Sequence, residues 1–572
     1  MRVADQIIEY VRLLGVTDIF VLTGNGSMYL NDAVQTNPGV TSVCVHNEAV
    51  AASCAAAYAA VRSGIGVISV TAGPGATNAI SGLAESWVES APVLVIAGQV
   101  PSGEFSNYGF SDARPRSFGI AGFDAATLAK PITLWSGRLK DPESLGEVLS
   151  IATVPLLGER PGPVWIDVPL DVQAAQAPPV DLAAILESAV DEVGSSARPF
   201  RAEQTKQLES LMNQSFRPLM LLGRGVADSE SAISNLLSLS EGLGLPYATT
   251  RAAAFKFSME DPLNVGVIGV RGRPGTKEIL GRADLILSIG SSLPASITGP
   301  DWSYMDPSVK VVQVDSDPNS LAWSGSRLAM PINLEAETFV LNVLSRLTLN
   351  SIPWADWSQE VAASSQERNS LGRDFSITPM DIYGVVRTIE GFLTPGDVLT
   401  SDAGSSYYAV GQACKFSSGA REVSSVTFAA MGQALPLAVG SAVGLNSEAN
   451  YVFCVVGDGS MELNMQEMLT VSHYHLPIKI LVINNGGYSS MRAWQDTFFE
   501  GRYIGSTSDT GAPPLDFQAL AVAFQIPYQR VESNADLKKA LAEARKEPGP
   551  QLFELICDPN QRLYLPMEQD EV

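Results

Sequence analysis

Along this chain, short apolar runs rich in β-branched residues alternate with longer stretches in which apolar positions recur every three to four residues. The runs are DIFVLTG, GVISVTAG, PVLVIAGQ and GPVWIDVP, then RPLMLLGRG, ADLILSIGSS and VKVVQVDSD, and later YVFCVVGDGS and IKILVINNGG. Nearly continuous apolar runs of this length, each closing on Gly, Asp or Asn, predict parallel strands buried on both faces with helices between them. Open α/β sheets bind ligands beyond the carboxyl ends of their strands, so the small and polar residues closing each run are where chemistry is expected.

Two stretches break the alternation. Residues 172–200 are rich in Ala, Pro and Ser, residues 345–378 are polar with little strand character, and both read as connections. They leave α/β blocks at 1–172, 195–345 and 375–560. A chain of 572 residues exceeds one core and fits about three domains. The expected fold class is therefore α/β, with three doubly wound parallel-sheet domains.

Composition then removes several functions. A net charge of −24 lacks the basic footprint of a nucleic-acid binder, although a locally positive site for an anionic substrate is compatible with it. The five cysteines have no CxxC spacing and several lie in apolar runs, so buried free thiols are expected rather than disulfides or zinc ligands. The opening MRVADQIIEYVRLLGV reads as an amphipathic helix and not a secretion signal. The longest small-apolar stretch, Ala49 to Ala60, is too short to cross a bilayer. A cytoplasmic protein without nucleic-acid or membrane partners is expected. Three histidines (His46, His473, His475) are too few for a His-rich metal site.

The sharpest chemical signal is Gly457-Asp458-Gly459-Ser460 at a strand end, followed by Asn484-Asn485 closing the next strand run, with Asn485 27 residues after Asp458. Asp458 and Asn485 offer hard oxygen ligands on neighbouring strand ends, which suits Mg²⁺ gripping phosphates. Gly-Asp-Gly alone is turn chemistry; the strand before it, the helix after it and the Asn-Asn beyond give it meaning. A second signal is Glu48 in VHNEAVAASCAAAYAA, where small apolar flanks predict a closely packed helix. A carboxylate buried there needs a partner or a purpose.

These segments resemble the thiamine-diphosphate enzymes, in particular the acetolactate-synthase-like branch. The resemblance covers nearly the whole chain, in the order pyrimidine-binding, central and diphosphate-binding domains. It implies that Asp458, Asn485 and the Gly487 carbonyl hold Mg²⁺ on the diphosphate of thiamine diphosphate. It implies that Gly404, Ser405 and Ser406, with Gly457, Gly459 and Ser460, contact that diphosphate, and that Gly24, Gly73, Pro74, Gly75 and Asn78 border the pyrimidine. By the same match Met431 wedges the cofactor into its bent shape. Glu48, ten residues before Tyr58, would be the catalytic acid that hydrogen-bonds N1′ of the aminopyrimidine. Trp494, nine residues beyond Asn485, would shape the acceptor pocket. The family's sites are shared between two chains, implying a homodimer or a dimer of dimers.

In the middle block, LLGRG, GVIGVRGRPGT and SIGSSLPASITG are small-residue loops at strand ends, without a GxGxxG. The resemblance implies FAD here in a non-redox role, with Gly223, Gly225, Arg271, Gly290, Ser291 and Asp315 as its contacts. The related enzymes carry an arginine in the loop that here reads SSLPASITG. A second departure is Ile120-Ala121, where the branch carries Phe-Gln.

The expected activity is decarboxylation of pyruvate or a related 2-keto acid and transfer of the acyl unit to a second carbonyl acceptor. The alternatives are a simple 2-keto-acid decarboxylase or lyase, and acetyl transfer to a nucleotide keto-sugar, a subgroup that GYSSMR…FF…R…G resembles. The decarboxylases keep a His-His pair in the first domain, where this chain has only His46. A redox enzyme built on the central block would leave Glu48, GDGS and NN unexplained.

Overall fold

The computed structural model describes residues 1–106, 116–195, 200–270, 272–371, 375–445 and 449–564. Among these residues, eighteen strands form three six-stranded sheets, and every strand pairing within them is parallel. The first holds β1 (Asp18–Val21), β2 (Thr41–Cys44), β3 (Gly66–Val70), β4 (Val93–Gln99), β5 (Trp135–Arg138) and β6 (Val164–Pro169), in the order 2-1-3-4-6-5. The second holds β7 (Pro218–Leu222), β8 (Tyr247–Thr249), β9 (Asn264–Val267), β10 (Leu285–Ile289), β11 (Lys310–Val314) and β12 (Met330–Ile332), in the order 12-11-10-7-8-9. The third holds β13 (Val398–Ser401), β14 (Arg421–Glu422), β15 (Val452–Gly457), β16 (Ile478–Asn484), β17 (Tyr528–Val531) and β18 (Gln551–Ile556), in the order 14-13-15-16-18-17.

The first and third sheets thus share one topology, reversing direction between β1 and β3 and between β13 and β15. The second, counted from its own first strand, has the dinucleotide-fold order and reverses between β7 and β10. Central strands such as β3, β4 and β7 are buried at every position, as their unbroken apolar runs require.

The outer sheets are joined. One continuous hydrophobic core holds residues of both, including Val50, Ala51 and Ala55 from the first domain and Leu435, Ala438 and Val439 from the third. The seam is the packing of the helix Glu48–Arg62 against the helix Ala434–Leu445, with the helix Pro74–Val88 on its other side. Glycines let these backbones approach. A Cβ on Gly440 would lie 2.7 Å from the Cys54 Cα, and one on Gly82 would lie 2.9 Å from the Ala49 carbonyl carbon. The central sheet keeps separate cores. It meets the others through the buried ion pair of Arg251 with Glu422 and the 2.6 Å pair of Arg160 with Asp317.

Both connections carry more structure than their composition suggests. Within 172–200, LAAILESAVDEVGS forms the helix Leu182–Ser195, which packs on the helix Leu145–Leu157 of the first domain. Within 345–378, Trp354 and Trp357 are buried in the central domain's cores and donate to backbone carbonyls of Ser215 and Pro218. Isolated aromatics in a polar stretch were the signal that this segment is anchored. Among the described residues, no helix is long and apolar enough to cross a membrane. All five cysteines are free thiols and four are buried; Cys44 is exposed.

Candidate functional site

Each sheet reverses where the candidate residues gather. Beyond β1 and β3 come Gly24 and the turn Thr71–Gly75. Gly24 leaves no room for a side chain, since its Cβ would lie 2.5 Å from Thr71 Cβ, and Thr71 Oγ1 accepts a bond from Gly26 N at 2.9 Å. Glu48 opens its helix, directly after Asn47, whose side chain caps the helix by accepting from Ala49 N. The Glu48 carboxylate is only 6% exposed and accepts from Asn78 Nδ2 at 3.1 Å. Its other oxygen lies 3.1 Å from where a Cβ on Gly75 would stand, so Gly75 clears the space in front of the acid. Gly73, Pro74, Gly75 and Asn78, expected to border the pyrimidine, are therefore brought together with Glu48 at one sheet edge.

The Ile120-Ala121 pair lies at this site as well. A Cβ on Gly73 would lie 3.1 Å from the Ala121 Cβ, and Ile120 is 84% exposed. Ala121 brings no amide side chain to this point of the turn.

Beyond β13 and β15 the second group assembles. Gly404, at φ +70°, precedes the helix Ser405–Ala413 and turns its first N–H groups outward. Ser405 Oγ is 2.8 Å from Ser489 Oγ, which in turn accepts from Asn485 Nδ2 at 2.8 Å. That bond aims the Asn485 side-chain oxygen away from Ser489, free to serve as a ligand. Asp458 accepts from Gly459 N, Asn485 N and Gly487 N at 2.8, 3.1 and 2.7 Å. Burial raises its pKa, and these backbone bonds oppose the rise. Asp458, Asn485 and Gly487 are thus one cluster built of a carboxylate, an amide oxygen and a carbonyl, a donor set of the kind Mg²⁺ takes. Among the described residues no group of three His, Cys, Asp or Glu side chains is placed to hold a metal ion. The Gly487 carbonyl accepts a bond from Arg492 Nη1, so this third oxygen already faces a guanidinium.

Asp402 is the residue that pattern reading passed over. It is 1% exposed and accepts from Ala403 N at 2.8 Å, Gly432 N at 3.2 Å and the Ser460 hydroxyl. One carboxylate therefore ties the 404–406 turn, the segment after Met431 and the GDGS turn together, and burial pushes its pKa up to about 7. An acid closing a strand run, immediately before Ala-Gly-Ser-Ser, was the available signal. Met431 is 36% exposed. Trp494, on the helix Ser489–Phe499, is 38% exposed and stacks on Phe498 at 5.1 Å between ring centroids.

The central sheet's reversal opens into a crevice of about 580 Å³ between the domains, lined by Arg224, Gly225, Gly290, Ser291 and Asp315 among others. Gly223 packs under it, since its Cβ would lie 2.6 Å from Ser291 Cβ. Asp315 is buried, accepts from Asp317 N at 2.9 Å, and has its pKa raised by burial. Five of the six expected FAD contacts converge here. The sixth, Arg271, lies outside the described residues.

Comparison with known proteins matches these three units separately. Residues 1–115 match the thiamine pyrophosphate enzyme N-terminal TPP binding domain, 205–340 the central domain, and 402–555 the C-terminal TPP binding domain. Acetolactate synthase 1, chloroplastic, of Oryza sativa subsp. japonica is 27% identical, over 99% of this chain and 86% of the relative. The probable acetolactate synthase large subunit of Methanocaldococcus jannaschii is 28% identical (98% and 93%), and the isozyme 1 large subunit of Escherichia coli K12 is 27% identical (98% and 95%). With all three domains present in the family's order and the relatives matched over 98–99% of its length, this chain belongs to the thiamine pyrophosphate enzymes.

Proposed function

We propose that this protein is an acetolactate-synthase-like carboligase that decarboxylates pyruvate or a related 2-keto acid and passes the acyl unit to a second carbonyl compound. The observation carrying this reading is the pair of matching switch points, one presenting Glu48 backed by Asn78, the other presenting Asp458, Asn485 and Gly487. Bound there, thiamine diphosphate would supply a carbon acid and an electron sink for the decarboxylation of a 2-keto acid. Glu48 would hold a proton at the pyrimidine ring nitrogen, its position fixed by Asn78 and by the space at Gly75. Asp458 and Asn485, with the Gly487 carbonyl, would hold Mg²⁺ on the diphosphate, while Gly404, Ser405, Ser406, Gly457, Gly459 and Ser460 line its approach. Gly24, Gly73 and Pro74 would border the pyrimidine, and Met431 would support the bend between the rings.

The central crevice would hold FAD in a structural role, supported by the dinucleotide strand order and the glycines at its switch point. Flavin absorbance in purified protein, or uptake of added FAD, checks this; colourless protein that binds none refutes it. A homodimer or dimer of dimers fits the exposed apolar residues beside the cofactor segments, among them Met28, Met431, Leu463 and Met491. Free thiols throughout accord with a reducing, cytoplasmic setting.

Acceptor identity rests on the departure at Ala121. With Ala121 in place of the amide, and with Ile120, Trp494 and Phe498 exposed, the acceptor side is open, and room for an acceptor bulkier than a small keto acid supports a nucleotide keto-sugar as the second reading. A simple decarboxylase has less support, because the first domain holds His46 alone and not the His-His pair of those enzymes. The test is product identification after incubating protein, Mg²⁺, thiamine diphosphate and isotope-labelled pyruvate with small keto acids and nucleotide keto-sugars. A labelled carbon–carbon adduct supports the proposal; CO₂ with free aldehyde alone indicates a decarboxylase, and no CO₂ release refutes both.

A further inference from the structure

The acid that faces the pyrimidine is held from a second domain. Glu467 belongs to the third domain, nine residues after Asp458, and is fully buried. Its Oε1 accepts the backbone N–H of His46 at 3.0 Å, two residues before Glu48, and its Oε2 accepts Thr470 Oγ1 at 2.7 Å. Two residues earlier, Cys44 N donates to Tyr474 OH at 2.8 Å. Alternate N–H groups of the extended segment leading into the Glu48 helix therefore end on one stretch, 467–474, of the other domain. No ion pair to Glu467 is found among the described residues, so a charged or strongly polar group is kept at full desolvation cost for two hydrogen bonds.

The placement matters because the Glu48 helix has no slack. Gly440 and Gly82 press on its backbone from two sides, and Asn47 caps it in an extended conformation, at φ −156° and ψ 136°. What remains adjustable is the height and tilt of its first turn, where Glu48 sits. We infer that Glu467 is a positioning residue for Glu48, acting through the backbone of His46 and Asn47 to set where the carboxylate meets the pyrimidine. The inference rests on the thiamine-diphosphate reading of Glu48. It also places Asp458 and the support of Glu48 on one continuous run, 458–474, so the run that ends a metal site at one end steadies an acid at the other.

The test uses full-length Glu467→Ala, Glu467→Gln and Thr470→Val proteins, with three measurements. Hydrogen exchange of the unliganded protein should show lost protection confined to residues 44–50 in Glu467→Ala. Calorimetry with thiamine diphosphate and Mg²⁺ should give affinity within about twofold of wild type, since the diphosphate side is untouched. Exchange of the cofactor's acidic C–H with solvent deuterium should slow about 10- to 100-fold, the effect of roughly 1 Å of misplacement. Glu467→Gln should restore most of the rate, because its carbonyl still accepts from His46 and its amide can donate to Thr470. Thr470→Val, which leaves the carboxylate in place but removes its brace, should slow exchange about threefold or more, and it decides the matter if Glu467→Ala does not fold. Wild-type exchange rates in folded variants, or cofactor affinity falling in step with them, would overturn the inference. Wild-type protein that neither binds the cofactor nor speeds its exchange would instead sink the underlying reading.

Discussion

The seam between the outer domains yields a prediction with an internal control. Gly440 and Gly444 lie one turn apart on the helix Ala434–Leu445, facing the Glu48 helix. A Cβ on Gly440 would stand 2.7 Å from both Cα and the carbonyl carbon of Cys54, and nearer still to its oxygen. Carbon atoms rest at about 3.5–4.0 Å, so the shortfall is about 1 Å, and it is against backbone, which cannot rotate away. Gly440→Ala must part the helices by about that much, costing about 3 kcal/mol as overpacking, offset by about 1 kcal/mol of helix propensity. At Gly444 the nearest atoms are Val61 Cβ at 3.3 Å and Tyr58 Cα at 3.4 Å. A few tenths of an ångström suffice there, and the propensity gain roughly cancels the strain. At about 2–4 °C per kcal/mol for domains of this size, Gly440→Ala should lower the first thermal transition by about 4–8 °C while Gly444→Ala leaves it within about 2 °C. Calorimetry measures both. Because the Glu48 helix is what moves, Gly440→Ala should also lower kcat by up to about 100-fold. Equal melting temperatures for the two variants would refute the close packing from which the numbers come.

Glu48→Gln should fold normally and lose nearly all turnover, because an amide cannot exchange the proton at the ring nitrogen; circular dichroism with a CO₂-release assay checks both halves. Asp458→Ala should weaken thiamine-diphosphate binding only when Mg²⁺ is present, and an unchanged calorimetric affinity would count against the metal site. Trp494→Ala should leave pyruvate decarboxylation in place and shift acceptor ratios about tenfold or more, whereas an unchanged profile would make the Trp494–Phe498 stack simple packing. Glu85, buried among Ser53, Ser425, Glu89 and Asp402, has its pKa pushed up to about 7 by burial. Its proton is kept in the folded state and lost in the unfolded state between pH 4.5 and 7. Stability therefore falls as pH rises through that window, by at most about 3 kcal/mol, and Glu85→Gln should flatten the loss; parallel melting curves against pH for both proteins would refute it.

Much of this protein was readable from the chain alone, because the signals are local. A buried parallel strand must be a short unbroken apolar run, and its ligand-facing end must be small or polar, so the strand ends carrying Gly73, Gly404, Asp458 and Asn485 stand out without coordinates. The small residues around Glu48 likewise announce a tightly packed helix. What the tertiary structure alone decided depends on contacts between residues far apart in sequence. Strand order is one: the repeated 2-1-3-4-6-5 topology and the dinucleotide order of the middle sheet leave no trace in any single run. The fusion of the outer domains through Cys54 and Gly440 is another, since a glycine in an apolar helix looks the same whether its partner is 2.7 or 3.4 Å away. Asp402 and Glu467 are the clearest cases. A strand end marks Asp402 and nothing local marks Glu467, and in both only folding places the carboxylate, out of water, against N–H groups that other segments must bury.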